Sequence, residues 1–103
     1  MMEVFITEPA EKSLQHIFRF YVEQASEDIA LKVTDKIINR IESLDHLANR
    51  GRTEFYLSEL KQGHRYILEG NFKIIYLVGP DKVIVTDIFD TRQDPDEIIK
   101  RAK

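Results

Sequence analysis

Gly70-Asn71-Phe72-Lys73-Ile74-Ile75-Tyr76, followed after a Gly79-Pro80-Asp81-Lys82 turn by Val83-Ile84-Val85-Thr86-Asp87-Ile88-Phe89-Asp90-Thr91-Arg92-Gln93-Asp94-Pro95, carries the architecture of this chain. Phe72, Ile74, Tyr76 and Val78 share one face of a strand, and Lys73, Ile75 and Leu77 share the other. Apolar residues on both faces predict a central strand. The turn residues join it to a second and more apolar strand over Val83 to Phe89 as a hairpin. Asp94-Pro95-Asp96-Glu97 then opens a short helical segment.

Towards the N-terminus, His64 to Leu68 reads as the preceding strand, with Glu69-Gly70-Asn71 as its turn. Before it, Phe55, Leu57 and Glu59 alternate with Tyr56, Ser58 and Leu60, which predicts another strand closed by Gln62-Gly63. Upstream of Gly51 the period changes. Ala30, Val33, Ile37, Ile41, Leu44 and Ala48 recur at spacings of three and four and stop at Asn49-Arg50-Gly51. Leu14, Ile17, Phe18, Tyr21 and Ala25 form an earlier helical stripe, opposite Glu11, Lys12, Gln15 and Arg19. Ser26, Glu27 and Asp28 supply an N-cap and an acidic first turn between the two helices. Val4-Phe5-Ile6 is a short strand, ended by Pro9 at the start of the first helix.

The expectation is an α+β fold: a short N-terminal strand, an antiparallel helical hairpin on one face of an antiparallel sheet of about four to five strands, and a short C-terminal helical segment. The 103 residues, 43% of them hydrophobic, suffice for residues 1–103 to form a single domain with one core. The absence of cysteine rules out disulfides and thiolate metal sites. Met1 to Pro9 lacks the basic and apolar regions of a secretory signal, and no apolar run approaches the roughly 20 residues of a membrane helix. A cytoplasmic protein without membrane association is expected. The formal charge of −3 and pI near 5.6 speak against a protein that grips nucleic acid through phosphate neutralisation.

From Phe5 to about Ile98 the order of elements resembles that of the RelE/ParE toxins of bacterial type II toxin-antitoxin, or plasmid stabilisation, modules. The specific likeness lies in Gly70 to Tyr76, which resembles the family's Gly, aromatic, basic, Ile-Ile-Tyr strand. Phe89-Asp90-Thr91-Arg92-Gln93-Asp94-Pro95 is similar to an end-of-strand motif of the ParE-like branch. The resemblance implies a growth-inhibiting toxin masked by a cognate antitoxin that folds upon it, with operator DNA contacted only through the antitoxin. It also implies one of two targets: ParE-like members bind and inhibit DNA gyrase, whereas RelE-like members cut messenger RNA on the translating ribosome. A third reading is a degenerate toxin that retains only antitoxin binding.

Metal-free RNA cleavage needs a base for the 2′-hydroxyl, cations for the phosphorane-like charge and a group that neutralises the leaving oxygen. Against the RelE pattern, Lys73 matches a basic residue on the sheet and Arg92 the one after the last strand. His64 and Tyr66 stand where lysines are expected, and Ile98 stands where the pattern has an aromatic acid. Ile98 can neither donate a proton nor stack, so gyrase binding is favoured over chemistry. The nuclease candidates are His64, Arg65, Lys73 and Arg92; the target-binding candidates are Arg65, Lys73 and Arg92. A plainer reading pairs these cations with Glu69, Asp87, Asp90 or Asp94 on the surface. His16, His46 and His64 lack the spacing of a zinc site, and Asp87, Asp90, Asp94 and Asp96 do not match a calcium loop. No metal or cofactor is expected, and Phe18, Tyr21, Phe72, Tyr76 and Phe89 are assigned to the core.

Overall fold

A computed structural model describes residues 2–103. Strand β1 (Glu3–Ile6) leads into helices α1 (Glu8–Gln24) and α2 (Glu27–Glu42), a short helix α3 (Leu44–Leu47) and a 3-10 turn, Ala48–Arg50. Strand β2 (Arg52–Thr53), a second 3-10 segment (Phe55–Leu60), strands β3 (Arg65–Glu69), β4 (Phe72–Val78) and β5 (Lys82–Asp90), and helix α4 (Asp96–Ala102) complete it. The sheet order is β1-β5-β4-β3-β2. It is antiparallel from β2 to β5, but β1 lies parallel to β5, so the sheet is mixed. The parallel pairing follows from the helical hairpin, which supplies the crossover that parallel neighbours require.

Both helix starts are capped, the second by Ser26 as the sequence predicts and the first by Thr7, just ahead of Pro9. Thr7 Oγ1 accepts from the Ala10 amide at 3.3 Å and donates to the Val85 carbonyl, fixing α1 to the sheet. Ser26 Oγ accepts from the Ile29 amide at 3.1 Å. Ala30, Ile37, Ile41, Leu44 and Ala48 are all buried, although the helix carrying them breaks at Ser43, whose hydroxyl donates to the Arg40 carbonyl. Ala25, assigned to the first stripe, is exposed at the end of α1.

The two sheet faces are buried differently. Ile67, Phe72, Ile74, Tyr76, Val83, Val85 and Ile88 meet the helical hairpin in the main core. On the opposite face, Ile75 and Phe89 pack with Leu57 of the second 3-10 segment and Ile98 of α4. A β-bulge divides β5 between them: Tyr76 pairs with Val85 but Ile75 with Asp87, leaving Thr86 as the extra residue. The alternation therefore reverses, so Ile88 joins Val85 on the helical side while Asp87 and Phe89 turn to the other.

Residues 55–60 correct the sequence expectation of a strand. Glu54 and Leu57 are buried and Leu60 is half-buried, a spacing of three that matches a 3-10 coil, where side chains three apart eclipse. The strand that pairs with β3 is instead Arg52–Thr53, and the 3-10 coil folds back across the second face.

Candidate functional site

On its helical face the Ile-Ile-Tyr strand does structural work. Tyr76 is fully buried and its hydroxyl donates to the Ala48 carbonyl at 2.6 Å. A Cβ on Gly51 would lie 1.9 Å from that hydroxyl, so only glycine fits against the ring. Arg65 faces the same side, directly opposite Tyr76, and its Nη1 donates to the Asn49 carbonyl at 3.1 Å and more distantly to that of Gly51. Its guanidinium thus satisfies the carbonyls that end the 3-10 turn, where a carboxylate partner was expected.

Lys73 points to the opposite face. Its Nζ lies 3.0 Å from Glu54 Oε2, 4.3 Å from the Tyr66 ring centroid and 5.5 Å from that of Tyr56. Glu54 is 1% exposed, and its other oxygen accepts from the Tyr56 amide at 3.2 Å. The carboxylate therefore caps the 3-10 segment and neutralises Lys73 at once. Phe55, between the buried Glu54 and the half-sheltered Tyr56, is 75% exposed and meets Tyr56 edge-on at 5.6 Å.

His64, the candidate general base, is buried beside this group. It is 5% exposed, its Nδ1 has no hydrogen-bond partner among the described residues, and burial lowers its pKa below the usual 6.5, with Glu54 opposing that shift. The ring lines a groove of about 570 Å³ floored by Ile75 and Leu77 and walled by α1, the second 3-10 segment and α4. Across the groove, Arg101 of α4 bonds Asp87 Oδ1 at 2.8 Å and also Ser13 Oγ, which itself donates to Asp87 at 2.8 Å. Burial raises the Asp87 pKa, while Ser13, Arg101 and the Ile88 amide oppose the rise. Asp87 is thus the centre of a network, in contrast to the surface carboxylate expected of it. Ile98, at the position of the missing aromatic acid, is 2% exposed in the second core.

Arg92 sits at the far end of β5 on the helical side. It donates to Asp90 Oδ2 at 2.7 Å and Oδ1 at 3.0 Å, a bidentate pair, and to the Tyr21 hydroxyl at 3.3 Å. The Arg92 amide also donates to Asp90, and these bonds hold the Asp90 carboxyl below its ordinary pKa. Asp94 accepts from the Asp96 amide as the expected helix-start residue of α4.

The four candidates are therefore not gathered at one point. His64 and Lys73 lie on the face covered by α4, Arg65 and Arg92 on that covered by the helices, and each cation is already engaged. Glu54, Phe55, Tyr56, Ser13 and Arg101 carry the geometry without having been singled out. The signal that could have found Glu54 is its spacing of three from Leu57 and Leu60; Ser13 and Arg101, 88 residues apart, carry no local signal.

The family described as the ParE toxin of the type II toxin-antitoxin system parDE matches residues 4–95. Among solved structures, a chain of the chromosomal ParDE toxin-antitoxin system from P. aeruginosa superposes with a TM-score of 0.74 at 26% identity, covering 87% of this chain and 96% of that one. No curated protein sequence matches. The strand order, the helical hairpin and the matched span lead to one assignment: this chain belongs to the ParE toxin family of type II toxin-antitoxin systems.

Proposed function

We propose that this ParE-type toxin acts in the cytoplasm by binding DNA gyrase, without bond chemistry of its own, and is neutralised by a cognate antitoxin. The observation that supports this most is the separation of the basic candidates. Arg92 is bound to Asp90 and Tyr21 on the helical face, and Lys73 to Glu54 on the other. The sheet lies between them. A cleavage site needs its base, its cations and its leaving-group donor within hydrogen-bond reach of one phosphate. Ile98, buried at the position that matches the family's aromatic acid, does not supply the last of these.

Arg92, half-exposed and rigidly held, is the candidate best placed to meet a target; Arg65 and Lys73 act by holding the surfaces around them. The antitoxin fits a concave apolar surface, as a folding-on-binding segment does. Leu14, Phe18 and Ile38 line such a groove between α1 and α2, with a volume of about 270 Å³. Exposed Phe20, Val22, Ile29 and Leu31 continue the apolar character of the two helices. Operator DNA is then reached through the antitoxin.

Purified toxin added to gyrase in a DNA supercoiling assay tests this reading. Inhibition that is reversed by the co-encoded antitoxin is expected. Unimpaired gyrase together with cleavage of message on translating ribosomes, abolished by Arg92→Ala, would replace it with the RelE-like reading.

A further inference from the structure

Phe55 is the most exposed of the large hydrophobic residues in the described structure, yet it stands on a firmly anchored base. On one side of it Glu54 is 1% exposed, and two positions further on Leu57 is 3% exposed. The Glu54 carboxylate holds the Tyr56 amide and the Lys73 ammonium, and the Glu54 amide donates to the His64 carbonyl at 2.9 Å. Burying a charged pair carries a desolvation cost that apolar packing would avoid. Here its consequence is to fix an aromatic pair outward, Phe55 edge-on against Tyr56, whose ring Lys73 also approaches.

The charge around the pair is uneven. Arg50, Arg52 and Lys61 are exposed and make no ion pair among the described residues, and Arg52 sits opposite Tyr66 on the same sheet face. The exposed carboxylate of the segment, Glu59, lies 3.7 Å from Lys103. The segment from Arg50 to Lys61, which carries the aromatic pair, therefore exposes three cations against one carboxylate on a chain whose formal charge is −3. A rigid aromatic flanked by cations complements an apolar pocket with an acidic rim.

We propose that Phe55 and Tyr56 form a protruding anchor that inserts into an acidic-rimmed apolar pocket of the toxin's folded protein target. A convex knob needs a preformed pocket, whereas a segment that folds on binding needs a concave bed, so the occupant is the target and not the antitoxin. The edge-on ring geometry, an interplanar angle of 83°, does not form the parallel platform that stacks successive bases. The assignment of gyrase as that target rests on the proposed function; the anchor itself is read from growth arrest as well.

The test uses the full chain with Phe55→Ala, Tyr56→Ala and, as control, Phe5→Ala, whose 48% exposed ring lies on β1 at the other edge of the sheet. Affinity for purified gyrase and for the antitoxin is measured with growth arrest on induction. Removing a central aromatic anchor weakens binding about thirtyfold. Phe55→Ala is expected to show that loss and a relieved growth arrest, with unchanged melting temperature, unchanged antitoxin affinity and a silent Phe5→Ala. Undiminished growth arrest by Phe55→Ala overturns the anchor. So does loss of binding to a labelled single-stranded oligonucleotide with target-protein binding retained. If wild-type toxin does not bind gyrase, the target assignment fails, and growth arrest by Phe55→Ala still decides the anchor.

Discussion

Lys73 and Glu54, nineteen positions apart, meet at 3.0 Å with the carboxylate almost wholly withdrawn from water. Removing one partner leaves the other charge buried and unmatched, which costs about 3–5 kcal/mol in such settings. Glu54→Ala is expected to destabilise the fold by about 3 kcal/mol, because Lys73 keeps some solvent contact, and to lower growth arrest by freeing Phe55. Replacing both residues, Glu54→Leu with Lys73→Met, is expected to recover most of the stability. A double-mutant cycle followed by urea unfolding measures the coupling.

Gly51→Ala tests a different constraint, since the added methyl would fall 1.9 Å from the Tyr76 hydroxyl. The ring is fully buried and bonded to Ala48, so it cannot swing away without losing that bond. A loss of about 1–3 kcal/mol is expected. Tyr76→Phe in the same background should relieve part of the clash, seen as a higher melting temperature than Gly51→Ala alone.

His64 makes stability depend on acidity. Its folded pKa lies below the usual 6.5, so as pH falls through 6.5 the unfolded chain takes up a proton that the folded chain refuses. Stability is therefore retained above 6.5 and declines below it until the folded pKa is reached. His64→Gln should flatten this decline in melting temperature between neutral pH and the folded pKa. Asp87 runs the other way: its folded pKa is raised above 3.8, so its ionisation reduces stability as pH rises through the folded value.

Arg101→Ala removes the cation that joins α4 to Asp87 and Ser13 and lies 5.6 Å from the Phe89 ring. Asp87 would keep Ser13 and its own Ile88 amide but lose its charge partner, and its pKa should rise further. Faster amide exchange in α4, with β4 and β5 unchanged, is the expected signature.

Much of this architecture was legible in the residues. Ala30, Ile37, Ile41 and Leu44 declared a buried helical face by spacing alone, and Ser26-Glu27-Asp28 declared its N-terminal cap, whereas the Thr7 cap of α1 had not been read. The turn read at Glu69-Gly70-Asn71 is there, with Glu69 as the last residue of β3 and Gly70 at φ +57° in the two-residue loop. Residues 55–60 misled because alternation over six positions overlaps a period of three when only Leu57 and Leu60 distinguish them. The bulge at Thr86 was hidden for a similar reason, as Val83 to Phe89 is apolar on both registers. The Arg92–Asp90 pair was within reach because its partners are two positions apart. Glu54–Lys73 and Ser13–Asp87–Arg101 were not, since tertiary folding alone brings them together.

The separation of Lys73 from Arg92 across the sheet is the ground for the proposal that this toxin binds its target instead of cutting it. Pulse labelling of DNA and protein synthesis in the first minutes after induction tests that claim most directly. An early fall in DNA synthesis, with protein synthesis following later, is the predicted result. Protein synthesis failing first, while DNA synthesis continues, would contradict it.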